Sequence, residues 1–406
     1  MTLVLQGAVV IDGTGTDPRA ASVTVEAGRI ASVGDAAPAG GGEPVDVGGL
    51  TLLPGLIDAH SHLGIVSMTD PNTPAAVTAA RIFRNCALAL DSGFTTVRDV
   101  GGIDGGVATA VELGLVRGPR IFPSGPVLCQ TGGHGDQSPP FGDPHHTHLI
   151  AGVPGLATLS LPCDGPDAVR IAARTAFRRG ATQIKVCVSG GVVSLTDRIE
   201  DTQFSVDELM AAVAEADARD TYVTAHAHNA PGIRNGLEAG VQCFEHGTFL
   251  DEETAEAMAA AGAYLVPTFA VTRLFRDEWQ KWGLPEAVVP RMDGIEDAMA
   301  RSLKMARAAG VTIGSGSDIL GPEQTRRGLE LSIRAELGDA MEAIVAATAV
   351  NARILRHADE IGIVEVGKRA DVIAVDGDPV ANPSLFDQPD RVVLVMKNGE
   401  IVKDLR

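Results

Sequence analysis

A parallel (β/α)8 TIM barrel, with a small β-sandwich-like domain composed of both chain termini, is the α/β fold that this 406-residue sequence predicts. Three observations carry that expectation. From residue 52 onward, apolar strand-like runs alternate with helical stretches through eight β→α steps. Both ends lack helical periodicity and consist of short β-rich runs broken by glycine. At ~150 residues per domain, the length fits roughly two to three domains, or one large barrel with an accessory piece. The expected division is 1–55 and 358–406 as the two parts of the β-domain, and 56–357 as the barrel.

The N-terminal strands are expected over 3–12 and 21–33, and the C-terminal ones over 364–376 and 391–402. Ala27-Gly28 and Asn398-Gly399 each read as a two-residue turn between two strands. Strands that pair only within one terminus make a poor sheet, so the two ends should build one domain together. The Gly/Pro/Ala segment 36–44 reads as a loop.

The barrel strands are expected at 56–62, 95–100, 120–124, 182–188, 222–227, 242–246, 264–268 and 311–318. Helices are expected at 75–91, 107–117, 166–179, 205–219, 232–239, 252–261, 286–309 and 339–349. Ser205 with Glu208 three residues on forms a capping box. Gly93, Gly118, Gly180, Gly240, Gly262 and Gly310 follow helix ends, where glycine takes the left-handed conformation. Continuous buried-type strands alternating with helices favour the closed barrel. An open doubly wound sheet is the alternative, but no Gly-x-Gly-x-x-Gly or P-loop follows the first strand.

Composition narrows the function. Apolar residues make up 45% and charged residues 21%, which places the chain among globular proteins. The formal charge of −19 argues against nucleic acid and anionic membrane surfaces as partners, because phosphate binding needs a basic footprint. Five separated cysteines without a CxxC argue against a disulfide framework, and a cytoplasmic location is expected. No signal peptide and no transmembrane stretch are expected. A small-molecule substrate and a homo-oligomeric state complete these expectations.

Active sites of such barrels lie at the C-terminal ends of the strands. The first strand ends in His60-Ser61-His62. Residues i and i+2 of a strand face one side, so two imidazoles there can converge on a cation such as Zn²⁺. Lys185 sits in an apolar fourth strand, His226 ends the fifth, His246 the sixth and Asp318 the eighth. Singly, each has a plain explanation: a satisfied core histidine, a snorkelling lysine, a helix N-cap. Together, those explanations must all hold at one end of one barrel.

The run Leu53-Pro54-Gly55-Leu56-Ile57-Asp58-Ala59 before His60-Ser61-His62 resembles the first-strand signature of the amidohydrolase superfamily. Lys185, His226, His246 and Asp318 fall on the strands that this superfamily uses. The tail from Val366 to Ile373 resembles its return into the β-domain. Thr95-Thr96-Val97-Arg98-Asp99 and Phe244-Glu245-His246-Gly247 resemble the prolidase-like and imidazolonepropionase-related branch.

The resemblance implies a binuclear centre. His60, His62 and Asp318 would hold one metal, His226 and His246 the other, and Lys185 would bridge them as a CO₂-derived carbamate. Burial in an apolar strand favours the neutral amine that this carboxylation needs. Zn²⁺ is the first expectation, with Mn²⁺, Co²⁺ and Fe²⁺ sharing such ligands. The implied activity is hydrolysis of a carbon–nitrogen (amide) bond of a dipeptide or N-acyl amino acid. A metal-bridging hydroxide would attack, and Asp318 would shuttle the proton. A carbamate, urea, lactone or phosphotriester hydrolase is the alternative on the same centre, and a non-catalytic metal-binding barrel is a third reading.

His134 follows the third strand, and the resemblance implies that it polarises the carbonyl or holds a terminal carboxylate; a surface-loop histidine is its plain alternative. His228 and Arg98 are the other expected substrate contacts. Prolidase-like relatives often carry tyrosine where His228 stands, which argues against proline preference. Arg98 has pairing with Asp99 as its alternative. His145, His146 and His148 read as a solvated loop cluster, and Trp279 and Trp282 as either a roof over the site or packing.

Overall fold

The computed structural model describes residues 2–34, 42–67, 73–136, 138, 153–194, 196–321 and 323–406. One eight-stranded sheet takes strands from both ends of the chain. Its order is Glu400–Asp404, Val392–Lys397, Val372–Val375, Thr51–Pro54, Thr2–Val10, Arg19–Glu26 and Arg29–Gly34, with Glu43–Asp46 pairing beside Thr2–Val10. The first strand pairs in parallel with Glu43–Asp46 through Leu3–Gln6 and with Thr51–Pro54 through Val9 and Val10. Its register against Arg19–Glu26 shifts between these two halves.

Both expected hairpins are present. Ala27 and Gly28 have φ of 49° and 78°, Asn398 and Gly399 of 51° and 79°. Two successive positive φ values make the turn that matches strand twist, and asparagine and glycine reach it at least cost. The two turns pack on one another: a Cβ at Gly28 would stand 2.8 Å from the Asn398 carbonyl oxygen. Leu5, Val23, Val25, Leu52, Val372 and Met396 fill the apolar cluster that both ends share.

The middle of the chain forms two parallel sheets. One contains Leu56–Ser61, Phe94–Asp99 and Arg120–Pro123. The other has the order Ser160–Pro162, Val127–Cys129, Ile184–Cys187, Val223–Asn229, Cys243–Phe249, Tyr264–Val266 and Thr312–Ile313. Backbone bonds link them at both edges. Thr182 N–H donates to the Pro123 carbonyl at 2.8 Å, Ala59 N–H to Ser315 at 3.1 Å, and Asp318 N–H to His60 at 2.8 Å.

Several expected elements are corrected. The last strand is regular only over Thr312–Ile313. Gly314 and Gly316 then bring the backbone against its neighbours: a Cβ at Gly316 would lie 2.4 Å from the Cβ of His60. That approach seats Asp318 beside the first strand and forfeits the ladder. The expected helix 286–309 is broken at Gly294 (φ 71°) into Val289–Met292 and Ile295–Ala309. The helix expected over 107–117 is Gly105–Glu112, so Gly114 (φ 69°) follows its end. Gly118 is accordingly absent from the left-handed glycines, whereas Gly93, Gly180, Gly240, Gly262 and Gly310 are among them. Helix 339–349 is α-helical over Ala340–Val345 and then widens into a π turn over Ala346–Val350. The helix Phe269–Glu278 and the short strands Val127–Cys129 and Ser160–Pro162 were not expected.

Other local expectations hold. Ser205 N–H donates to the Glu208 carboxylate at 2.7 Å, which closes the capping box. All five cysteines are free and buried. Among the described residues, no helix is long and apolar enough to cross a membrane.

One buried acid sets a pH dependence. Glu330 Oε2 accepts the Ala270 N–H at 2.8 Å, while Oε1 has no partner among the described residues. Burial pushes this carboxyl from 4.5 up to about 8, with Arg334 opposing. The folded state therefore holds its proton more tightly. This contribution to stability is complete below pH 4.5 and is lost as the pH rises toward 8. Glu330→Gln should flatten that slope, gaining about 3–4 kcal/mol on the wild type between about pH 5 and 8 in urea melts. Parallel profiles for the two proteins would contradict this.

Candidate metal centre

The His60 and His62 Nε2 atoms face each other at 3.3 Å. Asp318 Oδ1 lies 3.4 Å from the first and 3.2 Å from the second. The outer nitrogens are held by groups that accept. His60 Nδ1 meets Glu245 Oε2 at 2.7 Å, and His62 Nδ1 meets the Gly101 carbonyl at 2.7 Å. Each Nδ1 therefore donates, and each Nε2 lone pair points at the shared centre, the arrangement that orients imidazoles for a metal ion. Burial disfavours the His62 imidazolium, but Asp318 outweighs it and raises the pKa. Burial likewise opposes the Asp318 charge, and His60 and His62 overcome it, holding the carboxyl well below its ordinary range.

A second group forms from His226, His228 and His246, whose ligand atoms all lie within 4.8 Å of one another. His226 Nδ1 is 2.9 Å from His246 Nε2, and its Nε2 faces the Gly190 carbonyl at 3.2 Å. His246 Nδ1 is held by Thr268 Oγ1 at 2.7 Å, and His228 Nδ1 by Thr248 Oγ1 at 2.7 Å. Burial and the crowding of rings lower the pKa of all three, that of His228 to about 3. They are neutral at pH 7, the form that ligates. His246 and Asp318 both adopt positive φ, 68° and 54°. Such strain in non-glycine residues concentrates where function fixes the geometry.

Lys185 lies between strand neighbours Ile184 and Val186 and lines the same cavity as both groups. Its Nζ is buried without a hydrogen-bond partner among the described residues, and burial lowers its pKa. An unpaired buried amine costs free energy unless something joins it.

The cavity has a volume of about 650 Å³ and brings together His60, His62, His134, Lys185, His226, His228, His246 and Asp318. His134 stacks on His226, ring centroids 3.9 Å apart. Its Nδ1 meets Ser194 Oγ at 2.6 Å. Gly191 permits that placement, since a Cβ there would stand 2.1 Å from His134 Nδ1.

Arg98 is corrected. Its side chain is fully buried, donates to Glu245 Oε1 at 2.6 Å and to the Ala59 carbonyl at 2.6 Å, and does not line the cavity. It positions the strands under the site and has no reach to a substrate; its acid partner is Glu245, not Asp99. Trp279 and Trp282 are not cavity-lining either; Trp282 packs edge-on against Phe275. His145, His146 and His148 lie outside the described residues.

Glu245, Thr248, Thr268 and Ser194 are the residues that sequence reasoning missed. Glu245 had a readable signal, an acid inside the apolar run Cys243-Phe244-Glu245. The hydroxyls had none, because their partners are brought close only by the fold.

Comparison with known proteins agrees with this geometry. Residues 51–402 match the amidohydrolase family model. The ochratoxinase of Aspergillus niger is 35% identical over 367 residues, covering 87% of this chain and 75% of that protein. A prolidase crystallised with N-methylphosphonate-L-proline superposes with a TM-score of 0.94 at 36% identity, covering 100% of each chain. A Xaa-Pro dipeptidase with bound methionine gives 0.87 at 30% identity, covering 99% of this chain and 100% of the other.

Proposed function

The chain belongs to the amidohydrolase family, and from that membership we propose that it hydrolyses an amide bond of an N-acyl amino acid or dipeptide at a two-metal centre. The observation that carries the proposal is that two groups of ligand atoms, His60, His62 and Asp318 on one side and His226, His228 and His246 on the other, share one cavity with Lys185, a buried amine with no hydrogen-bond partner among the described residues. His60, His62 and Asp318 would hold one ion, and His226 and His246 the other. Lys185, carboxylated by CO₂, would supply the anionic bridge, which also explains why its amine is otherwise unpaired. His228 is placed to ligate or to contact substrate. The bound ions would supply Lewis acidity and an activated water at neutral pH.

The chain's own residues do the rest. Asp318, fixed by its backbone bond to His60, stands where it can take the water's proton and return it to the leaving nitrogen. His134, oriented by Ser194, directs Nε2 at the carbonyl or a carboxylate. Glu245 holds the His60 tautomer and is itself held by Arg98. The two parallel sheets, linked at both edges, support a closed (β/α)8 barrel as the scaffold. The shared cluster of Val364, Ala370 and Val372 with Leu5 and Val23 supports the division at 1–55, 56–357 and 358–406.

The test is a hydrolysis screen of the metal-loaded protein against N-acyl amino acids, dipeptides and carbamates. Cleavage of amides above carbamates and lactones is expected, and cleavage of none would contradict the reading. Thr268→Val should weaken metal binding roughly ten- to a hundredfold in competition titrations, since it frees His246 Nδ1. Unchanged affinity would remove Thr268 from the supporting shell.

A further inference from the structure

Among the described residues lining the cavity, the charged and imidazole groups gather at one place, and the rest of the wall offers only the hydroxyls of Ser67, Thr73, Thr78, Thr268 and Thr272 and the Cys187 thiol as polar side-chain groups. Among the described residues that line it, every carboxylate, amine and imidazole belongs to the histidine, Lys185 and Asp318 cluster. Beyond that cluster the wall is formed by Val193, Val271, Phe275, Met292, Ile295 and Met299. Asp318 is the single described carboxylate on the lining, and its oxygens face His60, His62 and His246. Among the described lining residues, a cationic group carried into this space would meet no carboxylate other than Asp318.

The wall is also braced by packing. Val271 and Phe275 project from the helix Phe269–Glu278, which begins one residue after Thr268, the partner of His246. Phe275 is braced by Trp282, ring centroids 5.2 Å apart at 73°. Met292 belongs to the same apolar cluster, and Met299 projects from the neighbouring helix Ile295–Ala309. Methionine adapts its shape to irregular apolar groups while the aromatic pair fixes the floor.

We propose that the enzyme takes amides whose carbonyl half is a bulky, uncharged apolar group, an N-acyl rather than an N-aminoacyl substrate, and that Phe275, Met292 and Met299 select it. This rests on the amide-hydrolase reading. A dipeptide carries an α-ammonium beside the scissile carbonyl, and an unpaired buried ammonium is strongly disfavoured. Water adds across the C–N bond in either case, giving one carboxylic acid and one amine.

The test uses two substrates that differ only in that ammonium, 3-phenylpropanoyl-L-leucine and L-phenylalanyl-L-leucine. With metal-loaded enzyme, kcat/KM should favour the first by about 100-fold or more. Comparable values would overturn the proposal. Calorimetry of the acid halves, 3-phenylpropanoate and L-phenylalanine, reads the same preference without turnover, with about tenfold tighter binding of the former expected. Selective binding without cleavage of either amide would uphold the pocket and sink the hydrolase reading; equal cleavage of both would do the reverse. Phe275→Ala should lower kcat/KM for 3-phenylpropanoyl-L-leucine about tenfold more than for acetyl-L-leucine. Equal losses would make Phe275 a packing residue only.

Discussion

Replacing Lys185 with alanine is expected to cut turnover by at least about 100-fold, more than the loss of an outer-shell partner, while leaving the protein folded. The second half of that expectation follows from the structure. Among the described residues, Lys185 Nζ has no hydrogen-bond partner, so its removal deletes an unsatisfied buried polar atom and breaks none of the described bonds. Thermal stability without metal should therefore hold steady or rise. Short-chain carboxylates such as acetate or propionate should restore part of the activity, because they can occupy the space of the lost bridge with a similar anion. Unchanged turnover would contradict the role given to Lys185. A collapse of stability with no rescue would mean that the side chain serves packing.

Glu245→Ala is expected to destabilise the metal-free protein by about 3–5 kcal/mol, as breaking a buried ion pair from one side does. Glu245 accepts from Arg98 at 2.6 Å and from His60 at 2.7 Å, and Thr224 donates to it as well. Both Glu245 and Arg98 have fully buried side chains. The variant leaves a guanidinium without a counter-charge and an imidazole without its acceptor. Replacing both partners with apolar residues of similar volume should cost far less, since no charge is then stranded. Urea unfolding of the metal-free forms checks this. A loss below about 1 kcal/mol for the single variant would show that water or another group reaches Arg98.

Much of the scaffold is readable from local chemistry. Asn398-Gly399 and Ala27-Gly28 mark hairpins because their backbone demands positive φ, which few residues adopt cheaply. Five helix ends are readable from glycine for the same reason. The helix Phe269–Glu278 escapes because only Pro267 and Thr268 separate it from Tyr264–Val266, and the strand expected over 264–268 absorbs both. The last strand reads long because Gly-Ser-Gly-Ser suits an extended chain, whereas its ladder is broken by contacts with His60 and Asn351.

At the site, ligand types and their strand positions are visible because strand geometry alone puts His60 and His62 on one side. Arg98 was misread because its partner, Glu245, lies 147 residues away. Sequence places Arg98 beside Asp99, but neighbours on a strand point to opposite faces. The neutral state of the second histidine group was also not legible, since it depends on rings that only the fold stacks together.

The most direct test of the central claim is metal content after reconstitution in bicarbonate. Elemental analysis should find about two divalent ions per chain, falling when Lys185 is replaced. Protein that retains no ion after reconstitution would contradict the account.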